Sequence, residues 1–140
     1  MNKTRKARFS FTKLIVDNLE LMAEYYHQVY GLNKLHRVEE PEGVGNEPIA
    51  EIIMGADETM GSESLVMFKF INRPAPRDQE VILGFITDDL DALAKRVLEH
   101  GGKHVGMLKE MPHHGVRVLF TIDPEGRLSE NVQLLTKPAS

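Results

Sequence analysis

The apolar positions of this chain change period along its length. Short alternating or continuous apolar runs, bounded by Gly, Pro, Asp or Asn, predict strands over Arg8–Val16, Pro48–Met54, Ser64–Ile71, Gln79–Thr87, His104–Leu108, Gly115–Ile122 and Leu128–Leu135. A further strand is expected over Lys34–Glu39. Two stretches carry helical spacing instead. Leu19, Met22, Tyr26, Val29 and Tyr30 fall on one stripe that Gly31 stops, and Leu90, Leu93, Val97 and Leu98 fall on another that Gly101-Gly102 stops. Asp17 and Asp88 are placed to accept N–H bonds from the first turn of each helix, and Glu20 and Asp91 complement the two dipoles.

The two halves repeat. Leu14-Ile-Val-Asp-Asn-Leu19 aligns with Phe85-Ile-Thr-Asp-Asp-Leu90 at an offset of 71 residues, and the same offset takes Ala23 to Ala94 and Gly31 to Gly102. Each half reads strand, helix, then about three strands. The join lies at Asn72–Asp78, where Pro74 and Pro76 resist strand continuation. A βαβββ module cannot cover both faces of its own sheet, whereas two such modules can enclose a cavity. The expected architecture is therefore α+β: two tandem βαβββ modules, over residues 8–71 and 79–136, whose curved mixed sheets surround a cavity within one 140-residue domain.

Composition narrows the function. The chain is 41% hydrophobic and 27% charged with a net charge of −4, which lacks the basic excess of a nucleic-acid binder. It has no cysteine, which removes disulfides, thiolate metal sites and a cysteine nucleophile together and suits a reducing cytoplasm. No apolar stretch follows the N-terminus and none approaches a membrane span, so neither a signal peptide nor a membrane anchor is expected.

Several segments, in order, resemble the vicinal-oxygen-chelate superfamily of glyoxalase, bleomycin-resistance and extradiol dioxygenase type. They are Lys13-Leu-Ile-Val-Asp-Asn-Leu19 with Tyr25-Tyr-His-Gln-Val-Tyr-Gly-Leu32, Ile82-Leu-Gly-Phe-Ile-Thr-Asp-Asp-Leu-Asp-Ala-Leu93 with His100-Gly-Gly102, and Asp123-Pro-Glu-Gly126 followed by Glu130. The resemblance implies a cavity for a small molecule, often completed in a homodimer. In metal-dependent members it also implies four ligands, a His opening each module and a Glu late in each. The late glutamates correspond to Glu51 and Glu130. The opening positions correspond to Phe11 and Ile82, neither of which carries a lone pair. Two carboxylates alone would hold at most a weakly bound divalent metal, and zinc or nickel would want imidazole as well.

The glutamates stand out without the resemblance. Ile49, Glu51 and Ile53 share one strand face, and so do Leu128, Glu130, Val132 and Leu134, while Ser129, Asn131 and Gln133 make the opposite face polar. A carboxylate amid apolar neighbours needs a partner, water or a task. The partner would be an arginine such as Arg37, Arg117 or Arg127; the task would be general acid or base catalysis. Phe11 and Ile82 would line the cavity, Lys69 and Arg117 would attract an anionic group if they point inward, and His113 would sit at the rim. Tyr25, Tyr26 and Tyr30 are read as core or dimer contact. Two functions are thus expected: a glyoxalase-like lyase or isomerase acting on a small carbonyl compound through Glu51 and Glu130, or a non-catalytic protein that sequesters a hydrophobic drug or metabolite.

Overall fold

The computed structural model describes residues 6–57 and 63–135; residue 136, the expected end of the second module, lies outside them. The chain forms two compact units. One takes the chain up to Ala23 and again Gly31–Ala75; the other takes Glu24–Tyr30 and the chain from Pro76 onward.

The first unit holds β1 (Phe11–Ile15), the start of α1 (Leu19–Tyr30), β2 (Asn33–Val44), β3 (Glu47–Gly55) and β4 (Ser64–Phe70), with sheet order β1-β4-β3-β2. The second holds β5 (Leu83–Ile86), α2 (Leu90–Glu99), β6 (Lys103–Met111), β7 (Val116–Ile122) and β8 (Leu128–Leu134), in the order β5-β8-β7-β6. In each sheet the opening strand lies parallel to the last, and the remaining pairs are antiparallel. The internal repeat is thus a repeat of topology. Both sheets are mixed, curved and open.

Position in the sheet explains composition. β4 lies between β1 and β3, so Leu65, Val66, Met67 and Phe68 are all buried, on both faces. The edge strands β2 and β6 are largely exposed and charged, through Lys34, Arg37, Glu39, Lys103 and Lys109, which guards against pairing with another chain. Both edges run longer than the apolar pattern indicates. β2 continues through Pro41, which an edge strand tolerates, and β6 runs on to Met111, past a register shift between Val105 and Lys109 that holds Gly106 at φ 73°. β5 is correspondingly shorter than the expected Gln79–Thr87. The Gln79 side chain donates to the carbonyls of Val81 and Leu128 and accepts from the Leu128 N–H, replacing strand pairing with an amide clasp.

The helix caps differ from expectation by one residue. Asn18 Oδ1 accepts from Leu21 N–H at 3.1 Å and Asp89 Oδ1 from Ala92 N–H at 3.0 Å, so the cap repeats at the same offset but not at Asp17 and Asp88. Asp17 instead accepts from the Ala75 N–H at 2.7 Å and fastens the connector to its own unit. The left-handed stops are Gly31 and Gly101. Gly102 serves close packing: a Cβ there would lie 2.6 Å from the Tyr25 hydroxyl, 2.7 Å from the Ile122 carbonyl oxygen and 2.8 Å from Val97 Cγ1. Gly102→Ala is expected to lose roughly 1–3 kcal/mol of stability by overpacking, read from the midpoint of urea unfolding.

Candidate functional site

The register of the first sheet fixes which side chains share a face. Phe11, Lys13 and Ile15 on β1 sit beside Ser64, Val66 and Phe68 on β4, and Phe68 sits opposite Glu51 on β3. Ile49, Phe68 and Phe70 form a buried apolar cluster, with Ile15 packed against it. Into this face projects Glu51, only 8% exposed, and its partner is a lysine: Lys13 Nζ donates to Glu51 Oε1 at 2.8 Å. The ammonium also lies 4.9 Å from the Phe68 ring centre and 5.9 Å from that of Phe11. The expected arginine partner is therefore corrected. Lys13 crosses over β4 to reach β3.

Lys69 lies on the other face of this sheet, since it pairs with Ala50 rather than Glu51, and its Nζ donates to the Asp17 carbonyl at 2.7 Å. With Ala50 it lines an open cleft of about 780 Å³ at the start of α1, whose walls include Glu20, Arg37 and Glu39. Arg37 is paired with both of these carboxylates.

In the second unit Glu130 stands opposite Phe120 on β7 and Gly84 on β5. It is half-buried, and no hydrogen-bond or ion-pair partner for it is found among the described residues. Ile82 precedes β5 and is 52% exposed. Arg117 pairs with Gln133, which puts it on the face away from Glu130, where it donates to Asp91, Glu110 and Gln133. The hydrogen bonds to Asp91, and then to Glu110, push its pKa up. His113 lies in a short 3-10 turn, Pro112–His114, and is exposed.

Of the two faces of β8, the polar one is the more deeply covered. Ser129 and Asn131 are buried, beneath hydroxyls that α1 supplies. Tyr30 donates to Asn131 Oδ1 at 2.7 Å, and Asn131 Nδ2 donates to the Leu119 carbonyl and to Thr121 Oγ1. Tyr26 donates to Asp123 Oδ2 at 2.8 Å, while Asp123 Oδ1 accepts from the Glu125 and Arg127 N–H groups and so shapes the Asp-Pro-Glu-Gly turn. The apolar side of the second sheet is the more open one: Ile86 is 73% exposed.

The donor set does not suit the metal centre implied by the resemblance. Phe11 and Ile82 offer no donor atom, and Glu51 Oε1 is held by an ammonium rather than left for a cation. Among the described residues, no three His, Asp or Glu side chains gather closely enough to hold a metal ion.

Solved structures share this architecture. A glyoxalase family protein from Bacillus cereus superposes with a TM-score of 0.80 at 19% identity, covering 97% of this chain and 99% of that one. Glyoxalase I from Leishmania major gives 0.71 at 18% identity, covering 91% and 87%. Glyoxalase I from Zea mays also gives 0.71 at 18% identity over 94% of this chain, which spans 46% of the maize chain. At these identities the likeness is one of fold. No curated protein sequence matches the chain. The sequence profile described as Glyoxalase/Bleomycin resistance protein/Dioxygenase superfamily matches residues 8–130, and the chain belongs to that superfamily.

Proposed function

We propose that this protein is a small-molecule enzyme of the glyoxalase-like group, a lyase or isomerase that acts on a small carbonyl compound by carboxylate acid–base chemistry. The observation that carries this reading is Glu51: a nearly buried carboxylate on an apolar face, beside Phe68 and held by a single cation. A general base works best where its geometry is fixed and water is scarce, and both conditions hold there. Glu130, on β8, the last strand of the second module, is a second carboxylate available for proton transfer. Catalysis is assigned to the carboxylates without a four-ligand metal, because half of that donor set is hydrocarbon.

The test is turnover of a panel of α-oxo aldehydes, their thiol adducts and α-hydroxy ketones by wild type, Glu51→Gln and Glu130→Gln. Glu51→Gln is expected to lower kcat/KM about a hundredfold with the fold retained by circular dichroism. Full activity in both variants on an identified substrate would sink the reading.

Ligand sequestration is the second reading, favoured by the apolar side chains left open on the second unit, Ile82, Ile86 and Met107 among them. It predicts saturable binding of an apolar compound that is recovered unchanged. The fold elsewhere holds small polar molecules: the Listeria monocytogenes fosfomycin resistance protein FosX, at a TM-score of 0.66 and 10% identity, was solved with Mn(II) and 1S,2S-dihydroxypropylphosphonic acid. A homodimer in the cytoplasm completes the proposal. No helix among the described residues is long and apolar enough to cross a membrane.

A further inference from the structure

We propose that Lys13 is a catalytic residue whose ammonium binds the carbonyl oxygen of the substrate and stabilises the enolate formed when Glu51 takes the neighbouring carbon-bound proton. The inference rests on the acid–base reading of Glu51 and names the electrophile that reading lacks.

Phe11 and Lys13 lie two residues apart on β1 and so share a face. Where the superfamily's metal-dependent members open this strand with a ligand, the chain has a phenyl ring, and a fixed positive charge stands one alternation further on. That charge touches Glu51 at 2.8 Å and is flanked by the rings of Phe68 and Phe11. An ammonium carries three N–H donors, and Glu51 takes one. The Lys13 side chain is 39% exposed against 11% for Glu51, so the cation lies on the accessible side of the pair. The nearly buried Phe68 ring lowers the local polarity on one side of the ammonium and strengthens its hold on an oxygen that becomes negative.

The charge balance points to the substrate. Lys13 and Glu51 sum to zero, and an anion drawn by one would be repelled by the other. A small neutral molecule with a carbonyl beside a C–H fits both. In the step, the C–H bond breaks and its proton goes to Glu51. The bonding pair becomes the carbon–carbon π bond, and the carbonyl π pair moves to oxygen, where Lys13 donates to it. Glu51 then exchanges its proton with solvent and returns one to carbon. For an α-hydroxy ketone the carbonyl migrates once the hydroxyl proton has moved to the enolate oxygen. No oxidant or reductant is consumed.

Hydroxyacetone in heavy water, with chelator-treated protein, reads this step as loss of carbon-bound proton signal by NMR. Wild type is expected to accelerate the exchange over buffer, Lys13→Met to lose about a hundredfold of that acceleration, and Lys13→Arg to recover to within about tenfold of wild type. Melting curves recorded beside the rates separate chemistry from folding. Should Lys13→Met fail to fold, Lys13→Gln, which still donates a neutral hydrogen bond to Glu51, makes the same comparison. Wild-type exchange in Lys13→Met with slow exchange in Glu51→Gln would overturn the role of Lys13 and leave the acid–base reading standing. An exchange that disappears on chelation and returns with Mn²⁺ would also overturn it. No acceleration by wild type would overturn both.

Discussion

Raising the pH from about 10 to about 12 is expected to unfold the protein, with its three tyrosines ionising during unfolding rather than before it. All three lie on α1, within Glu24–Tyr30, and burial is the main force on each. Burial pushes Tyr30 up to about 12, against the lowering effect of its hydrogen bonds with Thr121, Ser129 and Asn131. Tyr25 is raised by burial and then by Tyr30 and Asp123; Tyr26 is raised well above 10 by burial and then by the Asp123 charge it donates to. A folded-state pKa above the unfolded one contributes stability that is whole below about pH 10 and is lost as the unfolded chain ionises above it. Tyr30 alone accounts for about 2 kcal/mol by pH 12, and the other two, held higher, add to that. The combined loss is comparable with the roughly 5–15 kcal/mol that keeps a typical domain folded. Tyrosinate absorbance and far-ultraviolet circular dichroism, followed together against pH, should change in one coincident transition. Tyrosine ionisation near pH 10 with the dichroism intact would refute the expectation.

The architecture was legible in the sequence because the same pattern occurs twice. Strand, cap, apolar stripe and glycine stop recur at one offset, and the two sheets repeat one strand order. What periodicity could not supply was hydrogen bonding by side chains. Asp17 and Asp88 are as suitable for capping by type as their neighbours Asn18 and Asp89. The choice was made by a demand from elsewhere, the Ala75 N–H that Asp17 satisfies. The late start of β5 has a like origin in the hydrogen bonds of Gln79. β2 was underestimated because Pro41 reads as a breaker, which it is only in the interior of a sheet, and β6 because Lys109 and Glu110 interrupt the apolar pattern on an exposed edge.

The candidate site was legible in part. Alternation correctly placed Glu51 on an apolar face, and the superfamily resemblance singled it out. Its partner was missed. Pairing across an intervening strand depends on register, which a single strand's pattern does not encode, although Lys13 already shared a face with Phe11 and Ile15. Register likewise decides that Lys69 and Arg117 stand on faces away from Glu51 and Glu130. Which face of β8 is covered was a separate question. Alternation separates Glu130 from Ser129 and Asn131, but it does not say which set is covered. The polar set is the buried one because α1 brings tyrosine hydroxyls to meet it, and polar atoms that find partners can be enclosed. That leaves the apolar side of the second sheet open, a disposition that suits ligand binding better than a solvated wall.

The strongest single substitution follows from this buried polar face. Asn131→Asp conserves shape and is expected to cost roughly 3–5 kcal/mol at neutral pH. Asn131 is wholly enclosed, and its amide uses both ends: Oδ1 accepts from Tyr30, while Nδ2 donates to the Leu119 carbonyl at 3.0 Å and to Thr121 Oγ1 at 2.9 Å. A carboxylate keeps the first bond, and the Thr121 hydroxyl can turn to donate to it. The Leu119 carbonyl, however, would face a second oxygen with no hydrogen between them. The new charge would also be out of water, where burial favours the protonated acid. Because folding then favours the proton-bound form, the deficit against wild type should narrow as the pH is lowered. Asn131→Leu, which introduces no titrating group, should show a deficit that does not narrow in this way. Urea unfolding of both variants at neutral and acid pH checks this. Equal stability of Asn131→Asp and wild type at neutral pH would mean that water reaches the position, and the polar face of β8 would then be a solvated channel rather than a closed seam between sheet and helix.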